Sequence, residues 1–371
     1  VIRPRLADAR FFFETDKQSS LASRQEQLRK VVFHKKLGTV YEKVERVATL
    51  TKFIASKLNA NEDYCAKAAL LSKCDLVTNM VGEFSDLQGL MGYYYALNDG
   101  EAEEIAIAIN EQYLPRFSGD SLPKTMTGKI LALADKLDST VGMFVINQPP
   151  TGSKDPFALR RSAIGILRIL VEEQLDLDIL DIIDRTIVGF DSLEIEPGTR
   201  DSIFDFILER FRSWYLEEGV SSDVFQSVFI LKPTKPLDFH RRIAAVQHFS
   251  KLPESQALAV ANKRVSNILA KEDFAIENQS VNPQLLRESA EKSLFINIDN
   301  KILEVAPLFA SGNYRDGLES LAGLKDSVDL FFDEVLVMCD DASIRSNRIA
   351  LLQQLRSLFL QVADISHLDG S

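Results

Sequence analysis

Cysteine, histidine and tryptophan are scarce, with 3 Cys, 4 His and 1 Trp in 371 residues. Cys65, Cys74 and Cys339 lack the short paired spacing of a thiolate metal site and read as reduced thiols within helical apolar patterns. The histidines, at 34, 240, 248 and 367, are too dispersed to supply an imidazole cluster from neighbouring sequence. Long hydrophobic runs are missing as well. Ile164–Val171 is among the longest and is interrupted by Arg168, far short of the ~20 residues that cross a bilayer. Val1, Arg3 and Arg5 open the chain without a secretory leader pattern, and we expect the start to be a cut inside a longer protein. Positive charge is in deficit too, with 43 Lys and Arg against 54 Asp and Glu and a net charge of −11. That balance excludes a chain coated uniformly with nucleic acid, so any phosphate contact needs local basic patches.

What is present is an ordinary globular composition, 46% hydrophobic and 26% charged, long enough for two or three domains. Apolar residues recur at spacings of three and four, while alternating β-branched runs are nearly absent, so the expected class is all-α. Pro-rich and Gly-rich stretches at 114–123, 147–156, 196–199 and 231–236 punctuate the pattern. They divide the chain into blocks 1–160, 161–235 and 236–371. No fixed repeat period is visible, which argues against a solenoid.

In the first block the spacing predicts a helix over Tyr64–Val81 with Asp75 in its apolar stripe, and a helix over Ile130–Phe144 carrying Asp135 and Asp138. A carboxylate in an apolar face needs a partner. Two inward acids with His34 upstream resemble the HD phosphohydrolase domain, a family that holds metal with a His, a His-Asp pair and a later Asp. Here the pair position reads Ser72-Lys73-Cys74-Asp75, with Cys74 where the pair has His, and Ala134-Asp135-Lys136 is similar to the later Asp. The set His34, Cys74, Asp75 and Asp135 is thus degenerate. Metal-assisted hydrolysis needs a water held by several N and O ligands, so we expect neither a metal nor a catalytic residue here, with the acids capping or bracing helices. Between Cys74 and Asp120 stand nine acids and one base, Arg116, a poor docking surface for phosphate. Tyr93, Tyr94 and Tyr95 cannot share one helical face, so mixed core and surface placement is expected.

Basic residues gather in three places. In Thr151–Arg161, Asp155 is placed to cap a helix and Pro156 to sit in its first turn. Lys154, Arg160 and Arg161 there either pair with neighbouring acids or meet a phosphate backbone, and spacing does not decide between them. Ala257–Lys271 predicts an amphipathic helix with a basic outer surface containing Asn262, Lys263 and Arg264. A third helix, over 342–362, carries Arg345 and Arg348. Arg348 lies at the edge of the apolar face, where Asp333, Asp340 or Asp341 could tether it.

At these residues the chain resembles the bacterial glycyl-tRNA synthetase β-subunit family. The resemblance rests on Ala259–Leu269, Val328–Met338, Arg345–Arg348 and Val362–Ser366, and on Leu71–Met80 and Thr151–Arg161 earlier in the chain. Ala259–Leu269 is also similar in kind to the helical anticodon-binding domain of arginyl-tRNA synthetases. The resemblance implies a degenerate HD-like domain, a helical linker region and a helical-bundle anticodon-binding domain, taken from the carboxyl-terminal portion of a β subunit. It further implies tRNA(Gly) as partner; on the basic patterns above we expect Asn262, Lys263, Arg264, Arg345 and Arg348 to form the anticodon-side surface, and Lys154, Arg160 and Arg161 a separate backbone-contacting surface. An α subunit, in an α2β2 assembly, would hold ATP and Mg²⁺ and perform aminoacylation, while this chain carries no cofactor. Neither membrane nor DNA is expected as a partner, and the location implied is cytoplasmic. The alternatives are a metal-dependent HD-type phosphohydrolase and a helical protein-interaction scaffold.

Overall fold

A computed structural model of the chain describes residues 2–271 and 280–368. Among these residues, strand is confined to a short antiparallel pair, β1 (Val32–His34) with β2 (Gly38–Thr39), and one isolated bridge joins Thr151 to Lys154. Everything else regular is helical, as expected from the apolar spacing. The chain divides into two compact units, Val1–Phe211 and Arg212–Ser371.

The first unit contains α1 (Ile2–Asp16), α2 (Leu21–Arg24), α3 (Val40–Lys57), α4 (Glu62–Leu71), α5 (Asn79–Glu83) and α6 (Leu90–Asn98). It continues through α7 (Glu103–Glu111), α8 (Met126–Val145), α9 (Leu159–Glu172), α10 (Ile179–Val188) and α11 (Thr199–Leu208). Helix starts are written locally. Thr39 opens α3 by accepting from Glu42 N while the Glu42 carboxylate accepts from Thr39 N at 2.6 Å. Asn61 caps α4 and Thr125 caps α8 through the side-chain oxygen alone, accepting from Tyr64 N and Gly128 N. Helix α8 is the hub: it packs against α3, α4, α7, α9, α10 and α11, and Ile130–Ala134, Leu137 and Val141 are fully buried. A helix apolar on nearly every side belongs in a core.

Two sequence expectations shift here. No unit boundary falls near residue 160, because α9 packs along α8 and α11 packs on both. The approach is close at Gly165, where a Cβ would lie 2.9 Å from Lys136 Cε. The single helix expected over Tyr64–Val81 is also broken, with α4 ending at Leu71, a 3₁₀ turn over Cys74–Val77, and α5 restarting at Asn79. Thr78 causes the restart, since its backbone is extended and its hydroxyl accepts from Val81 N.

Helix α12 (Arg210–Glu217) contains the division between units. The second unit continues with α13 (Ser222–Phe229), α14 (Pro236–Phe249), α15 (Ser255–Lys271), α16 (Ser289–Ala310), α17 (Tyr314–Ala322), α18 (Lys325–Glu334) and α19 (Ala342–Leu360). Helix α13 packs on α14, so the expected break near 235 is interior to this unit. Helix α16 packs on α17, α18 and α19, and α15 lies against α18 and α19. The inner face of α15 buries Leu258, Ala259, Ala261 and Val265 at helical spacing. Its other side is left outward.

Candidate nucleic-acid interface and a lysine-filled centre

The outward side of α15 is basic over an apolar floor. Val260, Lys263, Arg264, Asn267, Ile268 and Lys271, with Met338 from the segment before α19, line a surface groove of about 420 Å³. Lys263, Arg264 and Lys271 are exposed, and Val260 and Met338 are each 48% exposed, so cations and apolar surface stand side by side in the groove. The Arg264 guanidinium lies 4.4 Å from the Phe332 ring centre, which holds it in place without consuming its N–H donors. No acid occurs between Gln256 and Lys271. Cations that can meet phosphates, an Arg264 guanidinium plane and adjoining apolar surface are compatible with an unstacked nucleotide loop.

Not every residue expected on this surface is there. Asn262 is buried at 1% exposure, its Nδ2 donating to Leu258 O at 3.0 Å and its Oδ1 without a hydrogen-bond partner. Arg348 is buried as well. Its Nε donates to Glu291 Oε1, and its Nη1 donates to Leu336 O at 2.8 Å. The tether is therefore Glu291 of α16 rather than Asp333, Asp340 or Asp341. Arg345 is half-buried and donates from Nη1 to Cys339 O at 2.8 Å, ordering the turn that presents Met338. Asn262 and Arg348 thus hold the bundle, whereas Lys263 and Arg264 face outward. Lys271 belongs to the basic outer surface expected of Ala257–Lys271, and Asn267, which sequence reasoning missed, joins it in the 260, 264, 267, 271 stripe. The signal was available, because Val260 breaks an otherwise polar face.

In the first unit, Lys154 and Arg161 are exposed and Arg160 is half-buried. Asp155 does cap α9, its two oxygens accepting from Leu159 N at 2.8 Å and Arg160 N at 3.0 Å. Pro156 lies before the helix instead of in its first turn. Arg161 Nη1 donates to Arg116 O at 3.3 Å.

The HD-like positions are filled with ammonium groups. Lys43 Nζ lies 3.3 Å and Lys73 Nζ 3.2 Å from Asp135 Oδ1. Lys43 also reaches Asp138 Oδ2 at 3.1 Å, and Arg46 grips Asp138 from the other side at 2.7 Å. Burial pushes the Asp135 carboxyl up, but Lys43, Lys73 and Lys136 outweigh it and hold the group well below the ordinary carboxylate range. Asp75, fully buried in the 3₁₀ turn, is a helix brace. Its Oδ2 accepts from Gly89 N at 2.6 Å and Gly92 N at 3.1 Å at the start of α6. Gly92 is needed there, since a Cβ would sit 2.5 Å from Ile109 Cγ2. Burial raises the Asp75 carboxyl against those two donors and Lys73. Cys74 is buried, and burial pushes its thiol up to about 12. His34, in β1, accepts from Lys36 N at 3.2 Å and packs edge-on to Phe157. Among the described residues, no three His, Cys, Asp or Glu side chains converge as a metal-ligand set. Three cations around two carboxylates supply the charge that a metal would otherwise supply.

The tyrosine triplet divides as expected, with Tyr95 buried and donating to Asp16 Oδ2 at 3.0 Å while Tyr94 is 48% exposed.

Comparison with known proteins finds two family matches, the first of which runs past the division at Phe211. The family model described as "Glycyl-tRNA synthetase beta subunit" matches residues 1–230, and that described as "DALR anticodon binding domain" matches residues 258–365. The second match covers α15 from Leu258 onward and the residues that line its groove. Proteins named "Glycine--tRNA ligase beta subunit" share 54% identity over 370 residues in Hahella chejuensis and 52% over 366 residues in Marinobacter nauticus. These alignments cover 100% and 99% of this chain, respectively, and 53% of each relative, so the chain spans about half the length of the curated relatives it matches. A match of this extent and identity places the chain in the glycyl-tRNA synthetase β-subunit family.

Proposed function

We propose that this chain is the tRNA-recognition part of a glycine–tRNA ligase β subunit and that it supports ATP-dependent glycylation of tRNA(Gly) performed by an α subunit. The observation that carries this reading is the basic, apolar-floored groove of α15, inside the segment that matches an anticodon-binding domain. Lys263, Arg264 and Lys271 would position the phosphate backbone, and the exposed Val260 and Met338 would pack against unstacked bases. Lys154, Arg160 and Arg161 form a separate basic surface in the first unit for backbone contact. ATP and Mg²⁺ belong to the α subunit in this reading, the assembly is α2β2, and it works in the cytoplasm. No helix among the described residues is long and apolar enough to cross a membrane.

A metal-dependent phosphohydrolase is disfavoured by Lys43 and Lys73, which already neutralise Asp135. The test is fluorescence anisotropy of labelled tRNA(Gly) and an anticodon-altered version at two salt concentrations. Salt-sensitive binding that weakens with the altered anticodon is expected. Equal affinity for both tRNAs would overturn anticodon recognition, and no binding at low salt would favour a scaffold role.

A further inference from the structure

A cavity of about 710 Å³ opens beside the HD-like centre, between the end of α7, the middle of α8 and the start of α9. Lys136 lines it at 8% exposure, and no hydrogen bond or ion pair to its Nζ is found among the described residues. A buried ammonium with no hydrogen-bond acceptor is costly, and the Asp135 carboxylate that acts on it is shared with Lys43 and Lys73, which leaves it able to take an anion. Tyr113 also lines the cavity, and its hydroxyl has no hydrogen-bond partner. Arg116 and Arg161 stand at the rim, both exposed, with Ser162 near them. The acids lining the same space are Asp86, which is exposed, and Asp135, whose charge Lys43 and Lys73 already offset.

We infer that this cavity binds a phosphate group directly through Lys136, Arg116, Arg161 and the Tyr113 hydroxyl, with no metal ion. Guanidinium, ammonium and hydroxyl donors that line one cavity are the groups from which oxyanion sites are built. Burial, opposed by Asp135 and reinforced by Lys73 and Lys43, lowers Lys136 to about 8, which leaves it mostly protonated at neutral pH. The phosphate could be a free monoester or part of an RNA backbone, since the donors would treat either alike. The inference does not depend on the α15 groove.

The test is equilibrium dialysis of the 371-residue chain against labelled inorganic phosphate, with EDTA present and ionic strength fixed by chloride. Saturable binding of one phosphate per chain is expected, weakened about tenfold or more by Lys136→Met. Arg116→Ala, at the exposed rim, should weaken it without disturbing the fold, which circular dichroism would verify. Anticodon discrimination measured on the same Lys136→Met chain should be retained, which separates failure of this site from failure of the tRNA reading. Competition by tRNA(Gly) would identify an RNA backbone as the source, and competition by a nucleoside monophosphate alone would identify a free ester. Absence of saturable phosphate binding, or binding unchanged in both Lys136→Met and Arg116→Ala, would overturn the inference.

Discussion

Replacing Arg348 by methionine separates a residue that holds the bundle from one that touches RNA. Arg348 is 6% exposed and its partner Glu291 is 0% exposed. The guanidinium satisfies Glu291 Oε1 and the Leu336 carbonyl, while Glu291 Oε2 accepts from Arg287 N at 2.5 Å and Glu288 N at 2.9 Å. Methionine fills much of the same volume but strands a buried carboxylate and a carbonyl. Removing one partner of a buried pair costs about 3–5 kcal/mol. For a unit the size of Arg212–Ser371, that predicts a melting temperature lower by roughly 6–20 °C. Adding Glu291→Gln to the same chain should recover part of the loss, because the stranded charge is gone. The assay is calorimetry at neutral pH, with tRNA binding measured well below the transition. A melt within about 1 °C of the parent, together with lost tRNA binding, would refute the structural role and return Arg348 to the interface.

In the first unit, Lys43→Met should lower stability by about 1.5–3 kcal/mol, because Asp138 and Asp135 lose a shared donor while Arg46 and Lys73 stay in place; denaturant unfolding reads this directly. Arg264→Ala should reduce the log-log salt slope of tRNA binding by about 0.7–0.9, the signature of one lost phosphate contact, in a salt titration. Burial pushes the Asp364 carboxyl up, but hydrogen bonds from Arg356 and Ser366 prevail and hold its folded pKa below the unfolded value. Its stabilisation is then fully present above the unfolded pKa and disappears as pH falls through the folded one, so Asp364→Asn should narrow the gap between urea midpoints at neutral and strongly acidic pH. With a thiol reagent at pH 8, half-exposed Cys339 should react in the native chain, whereas Cys65 and Cys74, raised to about 11 and about 12 by burial, should react only on unfolding.

Periodicity was enough to assign the helical class and the helices that carry both candidate sites, because their burial follows simple spacing. It failed at Cys74–Val77, where Thr78 capping wins over a continuous apolar stripe. Unit limits were not legible, since Pro-rich and Gly-rich loops mark turns whether or not a core ends there, and Gly165 lets α9 pack on α8 across the supposed break. Among the candidate RNA contacts, Lys263 and Arg264 face outward as their helical phase requires. Asn262 and Arg348 turn inward because their partners, Leu258 O and Glu291, come from backbone geometry and a helix more than fifty positions away. The lysines that neutralise Asp135 stand 92 and 62 residues before it, a convergence that only tertiary structure shows.

The central claim is that the outward face of α15 meets the anticodon loop. Its most direct test is photo-crosslinking of tRNA(Gly) carrying a 4-thiouridine in the anticodon loop, followed by peptide mapping. The account predicts crosslinks within residues 260–271 or at 336–338, abolished by a Lys263→Ala, Arg264→Ala double substitution. Crosslinks confined to residues 1–211, or unaffected by that substitution, would contradict it.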